Sequence, residues 1–394
     1  MSDMRLKDKI LSANTGLDAI KRAPIVEHNT GLKCIRIQDI SQGKSYDDWG
    51  FTETNEKDRK KFLLKKNDLL IARTGATVGV SQFIKEDIEA VYNNGTIRLR
   101  LDKSLNSRFV YYLFQTKSFL QYIDNISCVA TQPNLRIEGL LRFTIPDYSI
   151  EKQNAIVKTL STFDDLIENN NKRIRLLEQI AENLYREWFV RFRFPGYEDI
   201  EFEEKKPRGW KVGTEDKNHF APTIFRYDEF GTIGSFVRGK NITAVQMIEG
   251  NIPVISAGLQ PSGYHNEANV FGENLTISAS GANAGYLQYN LNDIWAADCS
   301  YYQDDATIWF VYNTLKYLQP VISNLQCGAA QPHVYPKNIN RLYVLIPTEE
   351  LIHKYNDSVK PYYDEIKVLN QHNQLLTQQR DMLLPRLMSG KLEV

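Results

Sequence analysis

Cysteine is scarce in this chain of 394 residues: Cys34, Cys128, Cys299 and Cys327 lie far apart, with no C-x-x-C pair. That spacing indicates neither a zinc site nor a dithiol redox motif, and reduced thiols in the cytoplasm are the expectation. Long apolar runs are also missing. None approaches the roughly 18 residues of a membrane span. The N-terminal MSDMRLKDKI lacks the apolar core of a signal peptide, so no membrane association is expected. Net charge is zero, with 48 basic and 48 acidic residues, whereas a protein that coats nucleic acid is usually basic overall.

The motifs of common catalysts are absent too. There is no G-x-x-x-x-G-K-[ST], G-x-S-x-G or H-E-x-x-H. An adenine or cytosine methyltransferase would carry a cofactor-binding glycine loop and an N/D-P-P-aromatic tetrapeptide, and neither is found. His28, His219, His265, His333, His353 and His372 are scattered, with no pair at ligand spacing, so no metal is expected. Glu203, Glu204 and Lys205 after Asp199 echo a nuclease carboxylate-lysine set only faintly, in a charged linker with no framing strand. The glycine-rich stretches Gly75 to Gly79 and Gly281 to Gly285 lack the P-loop lysine and a following long helix. They read as tight turns between strands that let a loop approach another backbone. By itself the chain is expected to catalyse nothing.

What the sequence does contain is a pair of long amphipathic segments. From Glu151 to Phe192 the apolar positions step alternately by four and three: Ile156, Leu160, Phe163, Ile167, then Asn170, Ile174, Leu177, Ala181, Leu184 and Trp188. Such a heptad seam predicts one helical rod, roughly 50 Å long at about 1.5 Å per residue. Tyr355, Val359, Tyr362, Ile366, Leu369, Asn373, Leu376, Arg380, Leu383 and Leu387 repeat the stepping, and Pro385, Ser389 and Gly390 are expected to end this second rod. Each seam carries one asparagine, a register device that costs stability. The pair predicts an intramolecular antiparallel coiled coil, the alternative being two ordinary bundle helices in separate domains.

The rest of the chain is duplicated at a period of about 200 residues, far longer than that of a solenoid. Residues 74–79 (TGATVG) answer to 280–285 (SGANAG), and 109–112 (FVYY) to 310–313 (FVYN). Residues 128–134 (CVATQPN) answer to 327–333 (CGAAQPH), and 141–146 (LRFTIP) to 342–347 (LYVLIP). Each motif alone is weak; four in one order, each set followed by a rod, are not. Strand-like stretches run over Leu32 to Ile40, Asp68 to Ala72, Val78 to Ile84 and Gly95 to Leu101, with a helix over Arg108 to Ile123. Proline and glycine at 195–196 and 207–209 mark a boundary. The expected fold is α+β: two duplicated mixed α/β domains separated by two long helices forming an antiparallel coiled coil. The segments are 1–149, the first rod 150–194, a linker 195–210, a second domain 211–348 and the second rod 349–394.

Two related globules on an antiparallel rod would carry an approximate two-fold axis, and so would duplex DNA, whose readers place their units about 34 Å per turn apart. Here the residues also carry a resemblance. Ile145-Pro146 and the run from Gln153 to Phe189, with Phe163-Asp164-Asp165, Ile167-Glu168-Asn169-Asn170 and Leu184-Tyr185-Arg186-Glu187-Trp188-Phe189, resemble the central conserved region of Type I restriction-modification specificity subunits. Residues 379–392 (QRDMLLPRLMSGKL) are similar to that family's distal conserved region, and 206–212 (KPRGWKV) to its approach to the second target-recognition domain. One departure is that Lys211 to Pro222 is longer and more polar than usual.

The resemblance implies a non-catalytic subunit that chooses an asymmetric bipartite site on double-stranded DNA. It would join two modification subunits, which bind S-adenosylmethionine and methylate adenine, and restriction subunits that use ATP and Mg. Base edges are read by Arg, Lys, Asn, Gln, Ser and Thr. Within the repeats this singles out Arg73 and Thr74, Ser280 and Asn283, and Asn134 against His333. Gln132 and Gln331 are read as architectural, because domains that read different sequences should differ at their reading positions. The cluster of Lys57, Arg59 and Lys60, extending to Lys65 and Lys66, is either a solvated face or a phosphate contact. The competing function is a coiled-coil scaffold or adaptor with no DNA role.

Overall fold

The computed structural model describes residues 3–127, 134–205, 220–326 and 332–393. Within it the chain divides into two compact units, residues 1–168 with 373–394, and residues 169–372.

In the first unit, the strands Ile10–Thr15, Thr96–Leu101, Leu69–Ala72 and Ser81–Phe83 form an antiparallel sheet in that order. Alternation sets its faces. Leu69, Ile71, Ile97 and Leu99 enter one core with Phe109, Tyr112 and Phe119, while Leu70 joins a second core with Cys34, Phe62 and Tyr92. A second sheet runs Ile25–Val26, Gly50–Thr52, Lys33–Ile35, Ala90–Tyr92, its last pair parallel. Two expectations need correction. The predicted strand from Leu32 to Ile40 is a strand only over Lys33–Ile35, and Ile37–Ser41 is helical. The Asp39 carboxylate there accepts from Arg36 N at 2.9 Å, a local cap that overrides the apolar alternation. The predicted helix from Arg108 to Ile123 is two helices, Ser107–Leu113 and Lys117–Ser127.

The second unit repeats this topology. Val237–Arg238, Cys299–Tyr302, Asn274–Ser278 and Leu287–Asn290 form the matching antiparallel sheet. Gly263–His265, Ile252–Ile255 and Trp295–Ala296 form the smaller one, again ending in a parallel pair. Helices Ile308–Tyr317 and Gln319–Ser323 stand where the first unit has Ser107–Leu113 and Lys117–Ser127. In each unit the strand before the long helix pairs antiparallel with an earlier one, Thr144–Pro146 with Asp3–Arg5 and Tyr343–Ile346 with Arg226–Glu229, and the second unit adds the pair Phe202–Glu204 and Phe220–Pro222. The duplication inferred from four short motifs is thus a duplication of topology. Helix capping differs between the copies: Asn106 caps the first, accepting from Arg108 N at 2.9 Å, whereas Asn356 on the long helix accepts from Trp309 N and Phe310 N, both at 3.0 Å.

The two rods are single helices, Ile150–Tyr185 and Glu349–Met388. The first passes into a π-turn over Arg186–Val190 before Phe192, which has a positive φ of 57°. Within the first unit, Ile156 and Leu160 share a core with Leu383, Leu384, Leu387 and Met388. Within the second, Ile174, Leu177, Ala181 and Leu184 share one with Tyr355, Val359, Tyr362 and Ile366. In both units the helices therefore run antiparallel along a common seam, a coiled coil.

Ile156, Leu160, Val359, Ile366, Leu369 and Asn170 are buried. Phe163, Ile167, Ile174, Leu177, Leu184, Tyr362, Asn373, Leu376 and Leu383 are half-buried. Tyr363 is more deeply buried than its predicted neighbour Tyr362, because its ring stacks 3.8 Å from Trp309. A heptad pattern describes a helix with one partner, and these helices have two: the other rod and a globular core. Pro385 does not end the second rod, which continues to Met388. It ends at Gly390, whose φ is +68°, with Leu392 N closing on Arg386 O at 3.2 Å.

Candidate nucleic-acid interface

The two glycine stretches are the same structure built twice. Each joins two antiparallel strands of the larger sheet, Leu69–Ala72 to Ser81–Phe83 and Asn274–Ser278 to Leu287–Asn290. Gly75 and Gly79 have φ of 83° and 94°, Gly281 and Gly285 of 74° and 87°, a region only glycine occupies without strain. Gly79 N bonds Ala72 O at 3.0 Å, and Gly285 N bonds Ser278 O at 2.8 Å. A Cβ on Gly79 would meet Ile123 Cγ2 at 3.1 Å, and one on Gly285 would meet Ile322 Cγ2 at 3.3 Å. The segment after the Gln-Pro pair then docks on the turn: Leu135 N bonds Arg73 O at 2.7 Å, and Val334 N bonds Ala279 O at 3.0 Å. Thr74 faces Asn134, and Ser280 faces His333, as isolated antiparallel bridges. Two segments distant in sequence thus present one short polar edge in each unit.

The side chains on that edge differ between the copies. In the first unit Arg73 Nη2 donates to Asn134 Oδ1 at 3.1 Å, with Asn134 exposed and Thr74 half-buried. In the second, Ser280 is buried and donates its hydroxyl to Asp298, whose other oxygen pairs with Arg238. Asn283 Nδ2 reaches Ala257 O at 3.4 Å, and the His333 ring lies 5.9 Å from that of Tyr335 at 16°. The structure therefore gathers Arg73, Thr74 and Asn134 at one turn, and Ser280, Asn283 and His333 at the other. Gln132 and Gln331, with Cys128 and Cys327 and the 206–212 stretch, lie outside the described residues.

The basic cluster lies elsewhere in the first unit, on the helix Glu56–Phe62, which packs through Phe62 into the core around Tyr92. Asp58 anchors it, bonding Arg22 at 2.9 and 2.5 Å, and that bond holds the Asp58 carboxyl below its usual range. Lys57, Arg59 and Lys60 point outward and are exposed. Arg59 pairs with Glu89 at 2.6 Å and Lys60 with Glu56 at 3.0 Å, both solvent-facing and so weakly held. Among the described residues no group of three or more His, Cys, Asp or Glu side chains is placed to hold a metal. Nor is any helix long and apolar enough to cross a membrane.

Sequence reasoning missed Arg238 and Asp298. Neither falls in a repeated motif, and the positions they match in the first half carry other residues, so no local signal marks them.

A family model described as the Type I restriction modification DNA specificity domain matches residues 20–179 and again 224–378. The specificity subunit of the Type I restriction enzyme MjaIX from Methanocaldococcus jannaschii is 28% identical over 372 residues, covering 90% of this chain and 83% of that one. The HindI specificity subunit from Haemophilus influenzae is 23% identical over 84% of this chain and 88% of its own. Among solved structures, the S subunit of a Type I restriction-modification system from M. genitalium shares the fold, with a TM-score of 0.53 at 20% identity over 98% of this chain and 96% of that one. Both copies of the duplication are matched separately and together they make up most of the chain, which belongs to the family of Type I restriction-modification DNA specificity subunits and has two target-recognition domains.

Proposed function

We propose that this subunit reads an asymmetric bipartite site on double-stranded DNA, one half with each target-recognition domain, for a cytoplasmic complex whose chemistry lies in other chains. Two modification subunits would supply S-adenosylmethionine-dependent adenine methylation, and restriction subunits would supply ATP- and Mg-dependent cleavage. This chain itself would catalyse neither step, and its long helices would set the unread gap and offer docking surfaces to the modification subunits. The observation that carries the reading is the repeated glycine turn. Its backbone bonds agree between the units, while the side chains on its edge do not, Arg73, Thr74 and Asn134 against Ala279, Ser280 and His333. A common scaffold with changed edge residues is what two readers of different sequences require, since base edges are distinguished by side chains.

The test is methylation-site sequencing in a host carrying the complete system, followed by exchange of residues 1–149 for the matching domain of another family member. One half-site should change and the other persist. If the modification subunits methylate the same site without this chain, the proposal fails. Selection from a random duplex pool that enriches no bipartite motif over non-specific DNA would favour a scaffold instead.

A further inference from the structure

We infer that Arg238, positioned by Asp298, reads a guanine in the half-site of the second target-recognition domain; this rests on the DNA-reading function proposed above. Backbone bonds fix which positions of the two units correspond. Arg73 N bonds Gly95 O at 2.9 Å, and Ala279 N bonds Asp298 O at 3.2 Å, so Ala279 stands where the first unit has Arg73, and Asp298 where it has Gly95. The edge strands Ile10–Thr15 and Val237–Arg238 both pair with the next strand of the larger sheet, Thr15 opposite Ile97 and Arg238 opposite Ser300. Both then give way to a glycine that no other residue could replace in that space. A Cβ on Gly16 would lie 2.2 Å from Tyr92 O, and one on Gly239 would lie 2.5 Å from Ala297 O. Arg238 therefore stands where the first unit has Thr15.

The second unit has lost the arginine beside its turn and gained one on the edge strand. It has also gained, in place of a glycine, the carboxylate that holds the new arginine. One Asp298 oxygen takes the Arg238 guanidinium and the other takes the Ser280 hydroxyl on the turn. The outcome is the same in both units: one guanidinium at the mouth of the glycine turn, held by Asn134 in the first and Asp298 in the second. Arg238 Nη2 is tethered to Asp298, and 39% of the arginine side chain, which carries five N–H donors in all, stays exposed. A planar fork with its orientation fixed in advance matches the O6 and N7 acceptors of guanine.

The complex reconstituted from this full chain and the modification subunits tests the assignment, with methylated sites read by sequencing for the parent chain, Arg238→Ala, Arg238→Lys and Asp298→Asn. Arg238→Ala should relax one base pair of the second half-site, its discrimination falling about ten- to a hundred-fold, with the first half-site intact. Arg238→Lys retains charge but not the fork and should lose the same preference, and Asp298→Asn should weaken it at that position only. Arg238→Ala or Arg238→Lys complexes that methylate the parent sequence with unchanged preference overturn the inference, as does loss of both half-sites together in the lysine variant. A parent chain that directs no sequence-specific methylation sinks the DNA-reading function itself, a different result.

Discussion

Tyr112 donates its hydroxyl to Asp164 at 2.5 Å, joining the first globular core to the first long helix. At the corresponding point of the second unit, Asn313 Nδ2 donates to the Tyr363 hydroxyl at 2.9 Å. The pairing persists although its chemistry has been exchanged: tyrosine on the domain and carboxylate on the rod in one copy, amide on the domain and tyrosine on the rod in the other. Asp164 also receives Arg380 Nη1 at 2.8 Å from the second long helix, 216 residues later in the chain. Burial pulls the Arg380 guanidinium down, but its bonds to Asp164 and Asp381 more than offset this and leave it raised.

Asp164→Ala should therefore destabilise the first unit by about 2–3 kcal/mol, because one carboxylate serves a buried phenol and a half-buried guanidinium. Tyr112→Phe removes only one of those bonds and should cost about 1–2 kcal/mol. Urea unfolding midpoints check both, and equal effects from the two variants would show that Arg380 contributes nothing.

The glycine turns give an internal comparison. Gly75 has a positive φ and open space around it, whereas Gly79 has a positive φ and Ile123 at 3.1 Å from a Cβ position. Gly75→Ala should cost only backbone strain, about 1 kcal/mol. Gly79→Ala adds displacement of Ile123 and should cost about 2–3 kcal/mol. Thermal melts that rank the two the other way would contradict the packing described for this turn.

Burial pushes the Cys34 and Cys299 thiols up to about 12. At pH 8 neither should react with iodoacetamide in the folded protein, and both should react in urea, as peptide mass spectrometry would reveal. The linkage has a definite sign. A group whose folded pKa is raised contributes stability that is complete below its unfolded value, near 9, and is lost as pH rises toward 12. Denaturant midpoints should accordingly fall above pH 9, and less steeply in a Cys34→Ser, Cys299→Ser variant.

Adding one heptad to each long helix keeps the seam in phase and lengthens both by about 10 Å, about three base pairs of DNA. If the helices set the gap, methylation-site sequencing should find the same two half-sites with a wider space between them. An unchanged gap would remove the ruler from the proposed function.

The four-three stepping of Ile156, Leu160, Phe163 and Ile167, and of Val359, Tyr362, Ile366 and Leu369, was enough to predict both long helices, because burial along a stripe is a property of spacing. Four short motifs in one order were enough to predict the duplication. The glycines of the two turns were equally legible, since a positive φ selects glycine locally. Spacing alone could not say that Tyr363, facing Trp309, is buried more deeply than Tyr362, because a heptad carries no information about a second partner. Nor could it say that Arg238 and Asp298 attend the second turn. They lie 60 residues apart and meet only because strand pairing sets Arg238 opposite Ser300. Local sequence thus determined the elements and their repetition, through periodicity and backbone preference. Which side chains stand together at each reading edge was decided by strand register, a long-range property that exists only once the sheet has formed.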